Sequence, residues 1–275
     1  MNYSKDLIDF LNVSPVNYHA VKEVARRLDN AGYKYLSAEE KLGEVKAGDK
    51  FYVTKNDSSI YAFQIGKQTL GEAGFHIICA HSDSPTFRIK PNAEMTCERG
   101  MTKLNTEVYG GPIMSTWFDR PLSIAGRVII KTDDVMHPET RLLKVERPVL
   151  LIPNLAIHFN RQVNDGVKLS KQKDMLPIIG IVNDELEKGN MLMNLICSEL
   201  GVQKSDILDF DLYLYDVTPA CLVGVHDEFI SAGRIDDLSM VHAGLAALLA
   251  DTETVPETTK VLAIFDNEET GSQTK

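Results

Sequence analysis

The sequence predicts an α/β fold in which an α/β domain is interrupted by an inserted β-rich domain. Three observations carry this. The outer segments alternate helical and strand periodicity, the middle reads as strands separated by turns, and two short continuous apolar runs have the character of buried strands. The expected boundaries are 1–91 with 221–275 for the discontinuous α/β domain and 92–220 for the insertion.

The first 45 residues read as helical. Val21, Val24, Ala25 and Leu28 recur at i, i+3, i+4 and i+7, and Ser14-Pro15 supplies an N-cap followed by proline at the first helical position. Ser37-x-x-Glu40 has the form of a capping box for a second helix beginning at Ala38. The period then changes to two. Residues 51–53, 60–65 and 75–80 read as strands, the last so uniformly apolar that burial on both faces is expected.

From about 92 to 220, strand-like pieces at 104–109, 126–131, 149–152 and 210–215 alternate with turn signals at Gly110-Gly111-Pro112 and His137-Pro138. One helix is expected over 184–200. Beyond it, Leu238, Val241, Leu245, Leu248 and Leu249 make an apolar helical stripe that starts just past Asp236-Asp237, whose carboxylates suit a helix N-terminus. Residues 261–265 read as a strand from the centre of a sheet, yet the sequence stops ten residues later without a covering helix. The α/β domain is therefore expected to lack its C-terminal part.

Composition narrows the function. Hydrophobic residues are 44% and charged residues 25% of 275, with 18 Gly and 11 Pro, which excludes collagen-like, low-complexity and disordered classes. The net charge of −10 repels phosphate backbones and anionic membranes, so neither nucleic acid nor a membrane is an expected partner. Cys79, Cys97, Cys197 and Cys221 are widely spaced, which fits a reducing compartment. Lys5, Asp6 and Asp9 interrupt the apolar N-terminus, leaving no signal-peptide core, and a cytoplasmic protein is expected.

Three places put metal-type ligands at the end of a buried strand or the start of a helix, where open α/β sheets bind ligands. In Ala80-His81-Ser82-Asp83, the histidine leaves a strand, and Asp83 can fix its tautomer through the other ring nitrogen. In Arg234-Ile235-Asp236-Asp237, a carboxylate at the mouth of a helix has two oxygens, one for each of two metals. In Asp266-Asn267-Glu268-Glu269, adjacent side chains diverge, so one can ligate a metal while the other serves as general base. Singly, each has an ordinary explanation as a satisfied polar residue, a helix cap or a solvated turn. Jointly they describe a two-metal hydrolase site for zinc, manganese or cobalt.

Two metals sharing one bridging carboxylate need roughly five protein ligands. The sequence offers three, His81, Asp236 and Glu269. His242 shares a helix face with the apolar stripe, and His19, His76 and His137 lack acid partners at suitable spacing, so structural roles are expected for all four. His226 adjoins Asp227-Glu228, but neighbouring side chains point apart, and it too is expected to be structural.

Ordered blocks run nearly end to end. They are His81-Ser82-Asp83-Ser84-Pro85 through Lys90-Pro91, Thr116-Trp117-Phe118-Asp119-Arg120, Ala125-Gly126-Arg127-Val128 and Ile152-Pro153-Asn154-Leu155-Ala156-Ile157-His158. Tyr215-Asp216, Pro219-Ala220, Asp227-Glu228-Phe229-Ile230, Arg234-Ile235-Asp236 and Asn267-Glu268-Glu269-Thr270-Gly271-Ser272 follow. In these blocks the sequence resembles the aspartyl aminopeptidase family of dinuclear zinc aminopeptidases, which includes vacuolar aminopeptidases of broader specificity.

The resemblance implies a zinc-peptidase-type α/β catalytic domain interrupted by a β-rich dimerisation domain. It implies two Zn2+ per subunit, peptide substrates with acidic first residues, and dimers assembled into a tetrahedral dodecamer. By position in the motifs, His81 corresponds to the ligand of one zinc, Asp236 to the bridging ligand, Glu269 to the ligand of the other zinc and Glu268 to the general base. Asp83 corresponds to the partner of His81, and His158 to a histidine that reaches a neighbouring subunit's active site, against the alternative of a buried structural histidine.

Asp237 stands where the family commonly has Asn, Pro121 where an acidic residue is usual and Thr270 where an aliphatic one is. Family members also continue past this point with the last Asp and His ligands, so 275 residues alone are expected to bind metal weakly and to lack useful activity. The rival expectations are a carboxypeptidase or N-acyl amino acid deacylase of similar scaffold, and an inactive fragment or assembly module.

Overall fold

Two helices open the chain. In α1 (Tyr3–Val13) the Asn2 side chain accepts the N–H of Lys5, and α2 (Asn17–Asn30) buries Tyr18, Ala20, Val21, Val24 and Leu28 along one face. Strands β1 (Lys34–Tyr35), β2 (Lys50–Lys55) and β3 (Ser59–Gln64) follow, then a single turn, α3 (Leu70–Ala73), and β4 (Phe75–His81). Next come β5 (Thr86–Thr96), β6 (Met101–Tyr109), β7 (Leu122–Ile130), β8 (Glu139–Lys144), β9 (Ile178–Ile181), α4 (Met191–Leu200) and β10 (Ile207–Asp216). A hairpin of β11 (Cys221–Val223) and β12 (Phe229–Ser231) precedes helix α5 (Ile235–Leu249) and strand β13 (Thr259–Phe265).

This computed structural model describes residues 2–37, 39–41, 43–182 and 189–272. They form two units, one from Met1–Ser84 with Pro219–Lys275 and the other from Pro85–Thr218. None of the described helices is long and apolar enough to cross a membrane.

The first unit is built on a mixed five-stranded sheet in the order β1-β2-β3-β13-β4, with β13 antiparallel to β3 and parallel to β4. As expected for a strand between two neighbours, Val261, Leu262, Ala263 and Ile264 are all buried. Helix α5 buries Leu238, Val241, Leu245 and Leu248 in the core shared with Phe10, Leu11, Val24, Leu28 and Ile60. At ~1.5–3 kcal/mol for each large aliphatic side chain taken from water, packing rather than intrinsic propensity holds this helix. Gly244 lets α5 approach the sheet, since a Cβ there would lie 2.9 Å from Leu262 Cδ1 and 3.0 Å from Ile78 Cγ2.

Strand β4 departs from its expected burial on both faces. It is the last strand in the sheet order, and Phe75, Ile77 and Ile78 are exposed. Continuous apolar sequence signals burial only when neighbours cover both faces, and Ala80 alone on this strand is buried.

The second unit is a six-stranded sheet in the order β8-β7-β10-β5-β6-β9, antiparallel throughout, over a core that includes Phe87, Leu104, Ile124, Leu143, Ile152 and Leu212. Helix α4 packs Leu192 and Ile196 into that core, and the Glu94 carboxylate accepts the Leu192 N–H at its first turn. Gly126 on β7 sits at φ +155°, where a Cβ would lie 2.1 Å from the Asp211 carbonyl oxygen on β10.

Four local expectations are corrected. Ser14 does not cap α2; it follows α1, its hydroxyl is buried, and Val16 precedes the first turn of α2 without a side-chain bond. Ser37 Oγ accepts the Glu39 N–H, but Glu39 and Glu40 form only a turn and no helix follows among the described residues; Ala38 lies outside them. The helix expected over 184–200 is observed from Met191, with 183–188 outside the described residues. The piece at 149–152 contributes single bridges, such as Leu150 with Leu122, rather than a strand.

Candidate metal centre

Strands β4 and β13 run parallel and in register, with Ala80 opposite Ile264 and His81 opposite Phe265. Their carboxyl ends therefore release residues 82–84 and 266–269 side by side, at the sheet edge where ligands bind in open α/β folds. The segment after β13 turns sharply, through Asn267 at φ +65° into a single helical turn, Glu268–Thr270.

Residues 81 to 84 grip three other segments, 81 and 84 sharing one of them. The His81 N–H donates to Asp237 Oδ2 at 3.0 Å. The Ser82 N–H donates to the Phe265 carbonyl at 2.8 Å, and its hydroxyl to the Ser58 carbonyl at 2.6 Å. The Asp83 carboxylate, 2% exposed, accepts the N–H groups of Glu268 and Glu269 at 3.3 and 3.1 Å. The Ser84 hydroxyl donates to the Asp236 carbonyl at 3.1 Å.

His81 Nδ1 lies 3.1 Å from the Asp83 carbonyl oxygen and 3.3 Å from its Oδ1. A carbonyl can only accept, so Nδ1 carries the proton and the Nε2 lone pair is left for a cation. Around Nε2 stand Asp236 Oδ1 at 3.4 Å, Asp237 Oδ2 at 3.9 Å and Glu268 Oε2 at 3.9 Å. One ligand atom from each of His81, Asp236 and Asp237 lies within 4.8 Å of the others. An imidazole nitrogen with carboxylate oxygens, its second nitrogen already secured, is a donor set that fits zinc and also suits manganese or cobalt.

The electrostatics point the same way. Burial opposes a charge on His81, but the carboxylates of Asp237, Asp83 and Glu268 and the bond to the Asp83 carbonyl outweigh it, holding the imidazole pKa above its ordinary value. Such a field favours a cation. Supporting contacts come from afar in sequence. The Arg234 guanidinium donates to the carbonyls of Ser14 and Leu11 at the end of α1, and the Asn17 amide donates to Asp266 Oδ1 at 3.1 Å. Burial pushes the Asp266 carboxyl above its ordinary pKa despite that bond and those from Ser58 and the Asn267 N–H.

Residues 10–275 match the Peptidase M18 family model, described as aminopeptidase I zinc metalloprotease. The chain belongs to the M18 family. A curated M18 relative, "Probable M18 family aminopeptidase 2" of Clostridium acetobutylicum, is 52% identical over 275 residues, covering 100% of this chain and 63% of the relative. The solved structure of Chaetomium thermophilum mApe1 aligns with TM-score 0.88 and 34% identity over 98% of this chain and 63% of that one. The S. cerevisiae mApe1 dodecamer aligns with TM-score 0.84 and 28% identity over 99% of this chain and 62% of that one. The chain thus spans a little under two thirds of the length of the M18 proteins it matches.

Within this M18 chain the structure brings His81, Asp83, Asp236 and Glu268 together. Glu269 joins through its main-chain N–H to Asp83, and its side chain is outside the group of three ligating residues found among the described residues. His158 is in the second unit, exposed in the turn at 157–159, which removes the buried alternative. Asp237 and Ser84 bond to His81 and Asp236; from sequence, Asp237 was legible only as part of the Asp236-Asp237 pair, whose spacing read equally well as a helix cap, and Ser84 was given no contact.

The other histidines also resolve. His242 is buried on α5 and bonded to Asp6, a partner 236 positions away. His137 has an acid partner after all, Asp134 at 2.7 Å in the same exposed turn. The His226 N–H donates to Glu228, and its ring is not in the metal group.

Proposed function

We propose that this M18 chain carries metal-binding and proton-transfer groups of an aminopeptidase that releases N-terminal residues, preferentially acidic ones, from peptides. The observation that supports the reading most directly is the convergence of His81 Nε2 with the Asp236 and Asp237 carboxylates, with Glu268 Oε2 3.9 Å from the same nitrogen. His81 and Asp236 would hold zinc, and Glu269 is assigned to a second zinc by its place in the motif. Bound zinc supplies Lewis acidity toward the scissile carbonyl and lowers the pKa of water.

The remaining chemistry belongs to this chain. Glu268, with its side chain 57% exposed, accepts a proton from the attacking water and returns it to the departing amine. Asp83 keeps the proton of His81 on Nδ1 and, through the two N–H groups it accepts, keeps Glu268 and Glu269 at fixed positions beside the imidazole. His158 is assigned to the active centre of a neighbouring subunit, in a cytoplasmic homo-oligomer built from dimers into a tetrahedral dodecamer. Its exposure and the dodecameric neighbour support this.

The test is metal content together with hydrolysis of Asp- and Leu-aminoacyl substrates, free and N-blocked, by the 275-residue chain and by any longer product of the same reading frame. About two metals per subunit and cleavage of free Asp-substrates in the longer product support the reading. Cleavage of N-blocked substrates in place of free ones overturns it in favour of a deacylase or carboxypeptidase.

A further inference from the structure

Asp236 and Asp237 are adjacent on α5 and face the same imidazole, yet they are placed differently. The Asp236 side chain is 87% exposed and presents Oδ1 to His81 Nε2 at 3.4 Å. The Asp237 side chain is 15% exposed, and its Oδ2 already accepts the His81 N–H at 3.0 Å. That N–H needs a partner. β4 is the last strand of its sheet, and it is the following residue, Ser82, whose N–H reaches across to the Phe265 carbonyl on β13.

A second bond runs between the same two segments. Ser84 Oγ donates to the Asp236 main-chain carbonyl at 3.1 Å. Both donors lie on residues 81–84 and both acceptors on 236–237, so the pair forms a two-point clasp between the end of β4 and the start of α5. His81 and Asp236, the two ligands the clasp flanks, cannot shift against one another without breaking it. For Asp237 to turn its inner oxygen to a metal, the His81 N–H would have to lose its acceptor in a largely buried place.

We propose that Asp237 is a positioning residue, which with Ser84 sets the separation of His81 Nε2 from the Asp236 carboxylate and so tunes cation affinity without being a ligand itself. This rests on the reading of His81 and Asp236 as metal ligands. What the role demands of position 237 is a side-chain oxygen acceptor at the right length, not a negative charge.

The test is Co2+ uptake by the 275-residue chain and by its Asp237→Asn, Asp237→Ala and Ser84→Ala variants, read from the visible absorption of bound cobalt. Far-UV circular dichroism monitors the fold. Asp237→Asn keeps an oxygen acceptor, so its affinity should stay within about threefold of the parent with the same cobalt band, whereas Asp237→Ala should lose about tenfold or more, the range for groups that orient a ligand. Ser84→Ala should weaken binding in the same direction with the band unchanged. Independently of metal, amide exchange of the His81 N–H should quicken in Asp237→Ala and stay slow in Asp237→Asn.

An Asn variant that falls as far as Ala, with a shifted cobalt band, makes Asp237 a ligand and overturns the inference alone. Uptake and His81 exchange that are unchanged in Asp237→Ala overturn it as well. A parent chain that takes up no Co2+ even at millimolar metal, where weak binding would register, removes the metal reading itself, and the inference with it.

Discussion

His242 Nε2 lies 2.7 Å from Asp6 Oδ2, tying helix α5 to helix α1 across 236 positions of sequence. Arg27 on α2 reaches the same Asp6 oxygen at 2.8 Å and Glu23 at 2.7 Å, so one half-buried polar chain joins α1, α2 and α5. Phe10 packs under it, its ring 5.8 Å from that of His242 and 5.2 Å from the Arg27 guanidinium carbon.

This chain of charges makes stability fall in acid. Burial raises Asp6, but the bonds from His242 and Arg27 more than offset it, and the bonds from Arg26 and Arg27 do the same for Glu23, leaving both carboxyls below their ordinary pKa. A depressed folded-state pKa gives stability that is complete above the ordinary carboxylate range and is lost as pH falls through the lower, folded-state value. Thermal unfolding measured from pH 7 down to pH 3 should therefore show the midpoint dropping at the acid end. Asp6→Asn should cost ~1–3 kcal/mol at pH 7 and flatten the acid slope. An unchanged slope would remove Asp6 from the account.

Metal should stabilise the first unit. If His81 and Asp236 bind zinc in the native chain only, zinc at about 100 times its dissociation constant adds ~2.7 kcal/mol to unfolding, and a chelator reverses it. His81→Ala should abolish the shift. Differential scanning calorimetry with and without zinc reads this directly.

Asp83 should matter more than its distance from Nε2 implies. Asp83→Ala strips the acceptor from the Glu268 and Glu269 amides and one contact from His81 Nδ1, with an expected cost of ~2–4 kcal/mol in stability. Zinc affinity should also fall by about 10–100-fold. Equilibrium urea unfolding and competitive metal titration separate the two effects.

Gly126→Ala should destabilise the second unit by ~2–4 kcal/mol, because the added methyl would meet the Asp211 carbonyl in the β7–β10 pairing and no flexible side chain is there to yield. Amide exchange across β7 and β10 should quicken in the variant. Protection at the parental level would mean that the two strands separate at little cost.

Much of this was legible because it depended on local pattern. The stripe of Leu238, Val241, Leu245 and Leu248 announced a helix buried on one face, and 261–264 announced a strand with neighbours on both sides. Periodicity reports only what lies on the same element. It could not show that β4 ends its sheet, so Phe75 and Ile77 looked like core. It also overrated Ser14 and Ser37, whose hydroxyls fit capping patterns in a chain that folds otherwise there. The clasp on His81 was illegible for a different reason: His81 meets Asp237 across 156 positions, and Asn17 meets Asp266 across 249. Contacts of that separation are set by topology, which no local spacing encodes.

The register of β4 against β13 also has a kinetic side. Among the described residues β4 pairs with no strand other than β13, and Ser82 and Phe265 are 183 positions apart. During synthesis at about 5–20 residues per second, the strand bearing His81 waits roughly 10–40 s for its neighbour. All ten residues of β10, and every other strand of the second unit, are made within that interval. The pairing that sets Glu268 beside His81 can therefore form only after the whole insertion has been made.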